Sequence, residues 1–145
     1  QVLKIENKMD CIFCKIIDGE IPAVKVLDEE KVVAFMDINP SSKGHMLVVP
    51  KNHVENIFEI SETDLSAVMD VVRRCAAAVK EAVGAEGLTI LQLNGTASDQ
   101  LVPHLHVHIM PRWKDDGMSV SQWEMGKGDT DELRKIAQKV QDHLS

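Results

Sequence analysis

Apolar residues recur along this chain with two periods, and the change from one to the other divides it into elements. In "CIFCKII", Cys11 to Ile17, they fall at helical spacing and Gly19 follows, which predicts a short helix with a glycine C-terminus. "VKVLDEEKVVAFMDI", Val24 to Ile38, holds two β-rich runs around an acidic turn and predicts a hairpin. "HMLVVP", His45 to Pro50, reads as a third strand. "SETDLSAVMDVVRRCAAAVKEAVG" predicts a long helix capped by Ser61 and stopped by Gly84. Its predicted stripe is Leu65, Val68, Met69, Val72, Ala76, Val79 and Val83, with Cys75 buried beside it. "LTILQLN", Leu88 to Asn94, is a fourth strand, and "HLHVHIM", His104 to Met110, a fifth. The stretch from Lys114 to Gly128 is glycine-rich and polar, and reads as loop. "TDELRKIAQKVQDHL" closes the chain with an amphipathic helix striped by Leu133, Ile136, Ala137, Val140 and Leu144.

Five strands with a long helix and a C-terminal helix predict an α+β domain. Most connections are too short for parallel crossovers, so the sheet is expected to be mainly antiparallel. Residues 9–145 are read as a single domain and residues 1–8 as an N-terminal extension.

Composition narrows the functional classes. The net charge is −7 and there is no basic run, which argues against a nucleic-acid polymer as partner. No stretch approaches the roughly 20 apolar residues that span a bilayer, and the N-terminus lacks a signal-peptide pattern. Three cysteines, an odd number, argue against a disulfide framework and for a reducing, cytoplasmic setting.

Candidate chemistry concentrates in the fifth strand. Alternation puts His104, His106 and His108 on one face, and Leu105, Val107 and Ile109 on the other, toward the core. Neighbouring histidines would stand about 6.6 Å apart at the backbone. The row suits a catalytic metal, or metal-free chemistry with one imidazole as nucleophile and another as acid. The strand alone does not choose. Cys11-x-x-Cys14 supplies two soft ligands at a spacing suited to zinc, and His53 lies in "PKNHVEN". With His104 as fourth ligand they would complete a closed tetrahedral site, leaving His106 and His108 free for other work.

The run His104 to Met110 fits the pattern His-φ-His-φ-His-φ-φ, with φ apolar, and so resembles the histidine triad (HIT) family. "CIFCKIIDGEIPAVKV", "VVAFMDINPSSKGHMLVVPKNH" and "LNGTASDQLVPHLHVHIMPR" also look like family segments, covering most of Cys11 to Arg112. The resemblance implies a nucleotidyl hydrolase or transferase acting on an α-phosphate through a nucleotidyl-histidine intermediate. It assigns the nucleophile to His106, phosphate binding and leaving-group assistance to His108, and support of the triad to His45. The free nitrogen of His106 would face phosphorus, while its other nitrogen donates to a backbone carbonyl. Asp37 would accept hydrogen bonds from ribose hydroxyls. Ile12, Phe13, Ile16, Phe35, Ile38 and Leu47 would form the slot for the base, and Asn94 and Gln100 would contact the phosphate or the leaving-group oxygen. Members with Cys-x-x-Cys near the start carry structural zinc, so the resemblance implies a structural metal, and no catalytic metal or organic cofactor. It also implies a homodimer joining two five-stranded sheets into ten strands.

One segment departs from the family pattern. Many members read Gly-Gln-Ser/Thr-Val-x-His before the triad, where this chain reads Asp99-Gln100-Leu101-Val102-Pro103-His104. Leu101 has no hydroxyl to offer a leaving atom, so assistance should fall on Gln100, His108 or backbone amides. The loop with Trp113 and Trp123 is a candidate for completing the leaving-group side, and His143 reads as a surface residue. The expected activity is release of a nucleoside monophosphate such as AMP from a nucleoside phosphoramidate or a dinucleoside polyphosphate. The alternatives are a nucleotide-binding sensor or scaffold with little turnover, and a zinc hydrolase with the triad as ligands.

Overall fold

The computed structural model describes residues 10–119 and 125–144. The extension over 1–8 and Trp123 lie outside them. The elements run α1 (Ile12–Ile17), β1 (Lys25–Asp28), β2 (Val32–Met36), β3 (Met46–Pro50), α2 (Glu62–Val83), β4 (Gly87–Gln92), a 3-10 turn (Thr96–Ser98), β5 (Val107–Arg112) and α3 (Thr130–Asp142). The five strands form one sheet in the order β1-β2-β3-β5-β4, and every neighbouring pair is antiparallel.

Both faces of the central strands are covered, which is why β2 and β3 read as unbroken apolar runs. On one face Val32, Ala34, Met46, Val48, Val107 and Ile109 pack against Val68, Val71, Val72, Cys75 and Val79 of α2. On the other, Val33, Phe35, Leu47 and Val49 pack against Cys11, Phe13, Cys14 and Ile16 of the N-terminal segment. Alternation along β2 and β3 thus feeds two cores from one sheet.

Two expectations shift. The helical stripe is rotated from its predicted position. Asp64, Val68, Val71, Val72, Cys75 and Val79 are buried, whereas Met69 is 46% exposed. The steps of four and three from 64 through 68, 71, 75 and 79 set the packed line, and Met69 lies off it. The fifth strand starts later than predicted. It begins at Val107, so of the three histidines only His108 belongs to it. The segment before it spends its polar groups elsewhere: Leu105 N–H donates to Val54 O (2.8 Å) and the His104 ring bonds Pro50 O.

Gly44 positions the start of β3. Its φ is +88°, and a Cβ there would sit 3.1–3.2 Å from Val79, Pro111 and Val83. Only glycine lets the chain pass this close beneath α2 and turn His45 onto the opposite face. At the chain's end α3 forms as predicted, and all its residues are exposed.

Candidate active site

The register of three strands gathers the imidazoles. His108 pairs with Leu47 on β3 and with Leu91 on β4. His45, two residues before Leu47, therefore sits diagonally across from His108 on the same face. His45 Nε2 and His108 Nδ1 are 3.0 Å apart. The His106 ring is 4.9 Å from that of His108 and 5.0 Å from Phe13, so these two imidazoles stay neighbours although His106 precedes the strand.

Hydrogen bonds fix the tautomers. Ser41 N–H donates to His45 Nδ1 (3.0 Å), which leaves the His45 proton on Nε2. That N–H donates to His108 Nδ1, so His108 carries its own proton on Nε2. His106 Nδ1–H donates to His104 O (2.7 Å) and leaves a lone pair on Nε2. Burial lowers the pKa of His45, His106 and His108, the last to about 4, with Asp37 pulling weakly the other way. The rings are therefore neutral near neutral pH. One presents a bare nitrogen and another an N–H.

A cleft of about 490 Å³ opens beside them. Ile12, Phe13, Ile16, Phe35, Ile38 and Leu47 all line it, together with Asp37, His45, His106 and His108. Ile38 is 81% exposed and forms rim rather than floor. Asp37 is held by Asn39 N–H to Oδ1 (2.8 Å), and its Oδ2 is 3.5 Å from His45 Nε2.

Three sequence candidates fall outside this lining. The Asn94 carboxamide is tied to Ile57 N–H (2.8 Å) and to Gln92. Buried Gln100 accepts from Gly95 N–H (2.7 Å) and donates to Glu55 O (2.7 Å) and Val102 O (3.1 Å). Both amides brace the β4–β5 connection instead of reaching into the cleft, because loop backbone groups need partners that neighbouring strands do not supply. Trp113 is also away from the cleft, with its indole N–H on Gly84 O (3.1 Å) at the end of α2. Conversely, Ser41, Leu93, Asp99 and Val102 line the cleft without having been singled out for it. Ser41 acts through its backbone amide, which leaves no signature in residue type.

Behind the cleft, Cys11, Cys14, His53 and His104 bring one ligand atom each within 4.8 Å of one another, and these four residues could hold a metal ion. Cys11 Sγ and His104 Nδ1 are 3.3 Å apart, Cys14 Sγ and His53 Nδ1 3.3 Å, and the two Nδ1 atoms 3.2 Å. Tetrahedral zinc, with bonds of about 2.0–2.3 Å, spaces its ligands by roughly 3.3–3.8 Å, so the donor set and its spacing fit. His104 Nε2–H donates to Pro50 O (2.8 Å), which turns the Nδ1 lone pair toward the cysteines. Cys11 Sγ also accepts from Cys14 N–H and caps α1, so one residue starts the helix and faces the cluster. A second group, Asp37, His45 and His108, also lies within ligand distance, but it is the hydrogen-bonded chain already described.

A five-stranded antiparallel sheet with three alternate histidines, one turned into a Cys/His cluster and two lining an apolar cleft, defines a histidine-triad protein. The HIT domain profile matches residues 18–115, and the chain belongs to the HIT family. It is 36% identical to the adenosine 5'-monophosphoramidase of Schizosaccharomyces pombe, over 91% of this chain and 96% of that one. The crystal structure of a HIT-family member from Bacillus subtilis superposes with a TM-score of 0.83 at 37% identity, covering 94% of this chain and 98% of the other. A zinc-bound histidine triad family protein from Mycobacterium smegmatis superposes at 0.73 with 30% identity, covering 94% and 99%.

Proposed function

We propose that this protein is a hydrolase that cleaves a nucleoside phosphoramidate or a dinucleoside polyphosphate at the α-phosphate and releases a nucleoside monophosphate such as AMP. The observation that carries the reading is the His106 tautomer: Nδ1–H is spent on a carbonyl, and Nε2 is left with its lone pair in a ring that lines an apolar cleft. The likeness to an adenosine 5'-monophosphoramidase supports the adenylate half of the substrate.

In this reading the base lies in the slot formed by Ile12, Phe13, Ile16, Phe35, Ile38 and Leu47, and Asp37 accepts from the ribose. His106 Nε2 forms a bond to phosphorus as the bond to the leaving group breaks. The leaving atom departs with the proton of His108 Nε2, which His45 and Ser41 have oriented. Water then attacks phosphorus and returns a proton to His108. The P–Nε2 bond breaks, and the monophosphate leaves. Gln100 and Asn94 hold the loop that walls the site, and leaving-group assistance falls on His108.

The Cys11, Cys14, His53 and His104 cluster is proposed as a structural zinc site that staples α1 to the sheet. The sheet ends at β4, whose outer edge has no strand partner among the described residues, and Ile90 on it is 42% exposed. Pairing of two such edges would give the ten-stranded homodimer. The cysteine usage fits a cytoplasmic setting, and among the described residues no helix is long and apolar enough to cross a membrane.

The test is AMP release from an adenosine 5'-phosphoramidate and from a diadenosine polyphosphate, with and without chelator. Release that is lost in His106→Ala supports the reading. Failure of both substrates, or an alanine variant as active as wild type, overturns it. Tight AMP binding without turnover points to a sensor instead.

A further inference from the structure

We propose that Asp99 sets the leaving-group preference of this site, favouring phosphoramidates whose departing amine carries an additional positive charge and opposing polyphosphates. The proposal rests on the reaction proposed above and narrows its substrate class.

The first observation is the charge of the cleft. Among the described residues its lining contains two carboxylates, Asp37 and Asp99, and no lysine or arginine. His45 and His108, which share the lining, are held neutral by burial. A polyphosphate leaving group carries several negative charges and needs cations around it. Here it would meet a carboxylate. An amine that bears a second ammonium group would meet attraction at the same place.

The second observation separates the two carboxylates. Asp37 is committed to Asn39 N–H and stands beside His45, at the end of β2 next to the apolar slot. Asp99 comes from the β4–β5 connection and so reaches the cleft from a different segment than Asp37. Among the described residues the Asp99 carboxylate forms no hydrogen bond or ion pair. Its charge is therefore not spent inside the protein.

The third observation is that Asp99 is held in place. Its φ is +66°, in the left-handed region that favours glycine, so a side chain is carried here against the local preference. Its N–H donates to Thr96 O (3.1 Å), and the next residue, Gln100, is buried with its carboxamide bonded on both sides. The carboxylate is thus mounted on a braced turn.

The test uses the full chain and a matched set of adenosine 5'-phosphoramidates. The leaving amines have equal length and end in ammonium, methyl or carboxylate. The readout is the ratio of kcat/KM between them, which does not depend on the fraction of folded enzyme. Wild type is expected to prefer the ammonium over the carboxylate amine by roughly tenfold at low salt, and less at high salt. Asp99→Asn and Asp99→Gly, the latter suited to the backbone, should bring that ratio close to one, and Asp99→Lys should invert it. An unchanged ratio in all three variants, or no preference in wild type, overturns the role of Asp99. Absence of AMP from every substrate fails the underlying reaction instead, and the proposal with it.

Discussion

His45 Nε2 lies 3.0 Å from His108 Nδ1, although the two residues are 63 positions apart in the chain. This contact decides which nitrogen of His108 carries the proton. If His45 orients the acid, His45→Ala should lower kcat by about 10- to 100-fold while KM changes little, since the ring touches His108 rather than the base. Steady-state kinetics on an adenosine phosphoramidate check this. A rise in KM at unchanged kcat would assign His45 to binding instead.

Acid should weaken the fold through His108. Burial holds its pKa at about 4 in the folded protein, against about 6.5 for an exposed imidazole. Between those values the unfolded chain binds the extra proton and the folded one does not, so stability falls as pH drops from about 6.5 toward 4. His45, lowered in the same direction, adds to the slope. Urea midpoints measured at several pH values should fall less steeply in His108→Asn than in wild type. Parallel slopes would contradict the burial argument.

The Cys/His cluster predicts a metal whose loss spares His106 and His108 chemically but loosens their support. Cys14→Ser should lose close to one equivalent of zinc per chain and melt several degrees earlier, while His106→Ala keeps its zinc. Elemental analysis and thermal denaturation measure both. Full zinc in the serine variant would rule the cluster out as the binding site.

Gly44 has no room for a side chain. Gly44→Ala sets a Cβ 3.1–3.2 Å from Val79, Pro111 and Val83 at a φ of +88°. A loss of about 1–3 kcal/mol in stability is expected, from backbone strain and overpacking together. Because His45 follows directly, turnover should fall as well. Chemical denaturation at constant pH gives the first quantity, and an unaltered midpoint would show that α2 gives way freely.

Much of the site was legible because its chemistry depends on residue type at short spacing. Cys11-x-x-Cys14 starts a helix, and the His106 and His108 rings stay neighbours even though β5 begins only at Val107. Asn94 and Gln100 were less legible. A carboxamide serves a ligand and a loop backbone equally well, and only the folded loop shows Gln100 bonded to Gly95 and Glu55. Met69 was misplaced because several helical faces of α2 are apolar enough to pack, and the sheet beneath selects one.

By itself the sequence determined the elements, the antiparallel class and the set of titratable side chains, since these follow from periodicity, turn residues and donor type. The tertiary structure decided which nitrogen of each imidazole is free. That depends on a carbonyl of His104, an amide of Ser41 and the register that sets His108 against Leu47. Backbone groups are identical in every residue, so their placement, and the chemistry it directs, appears only once the chain has folded.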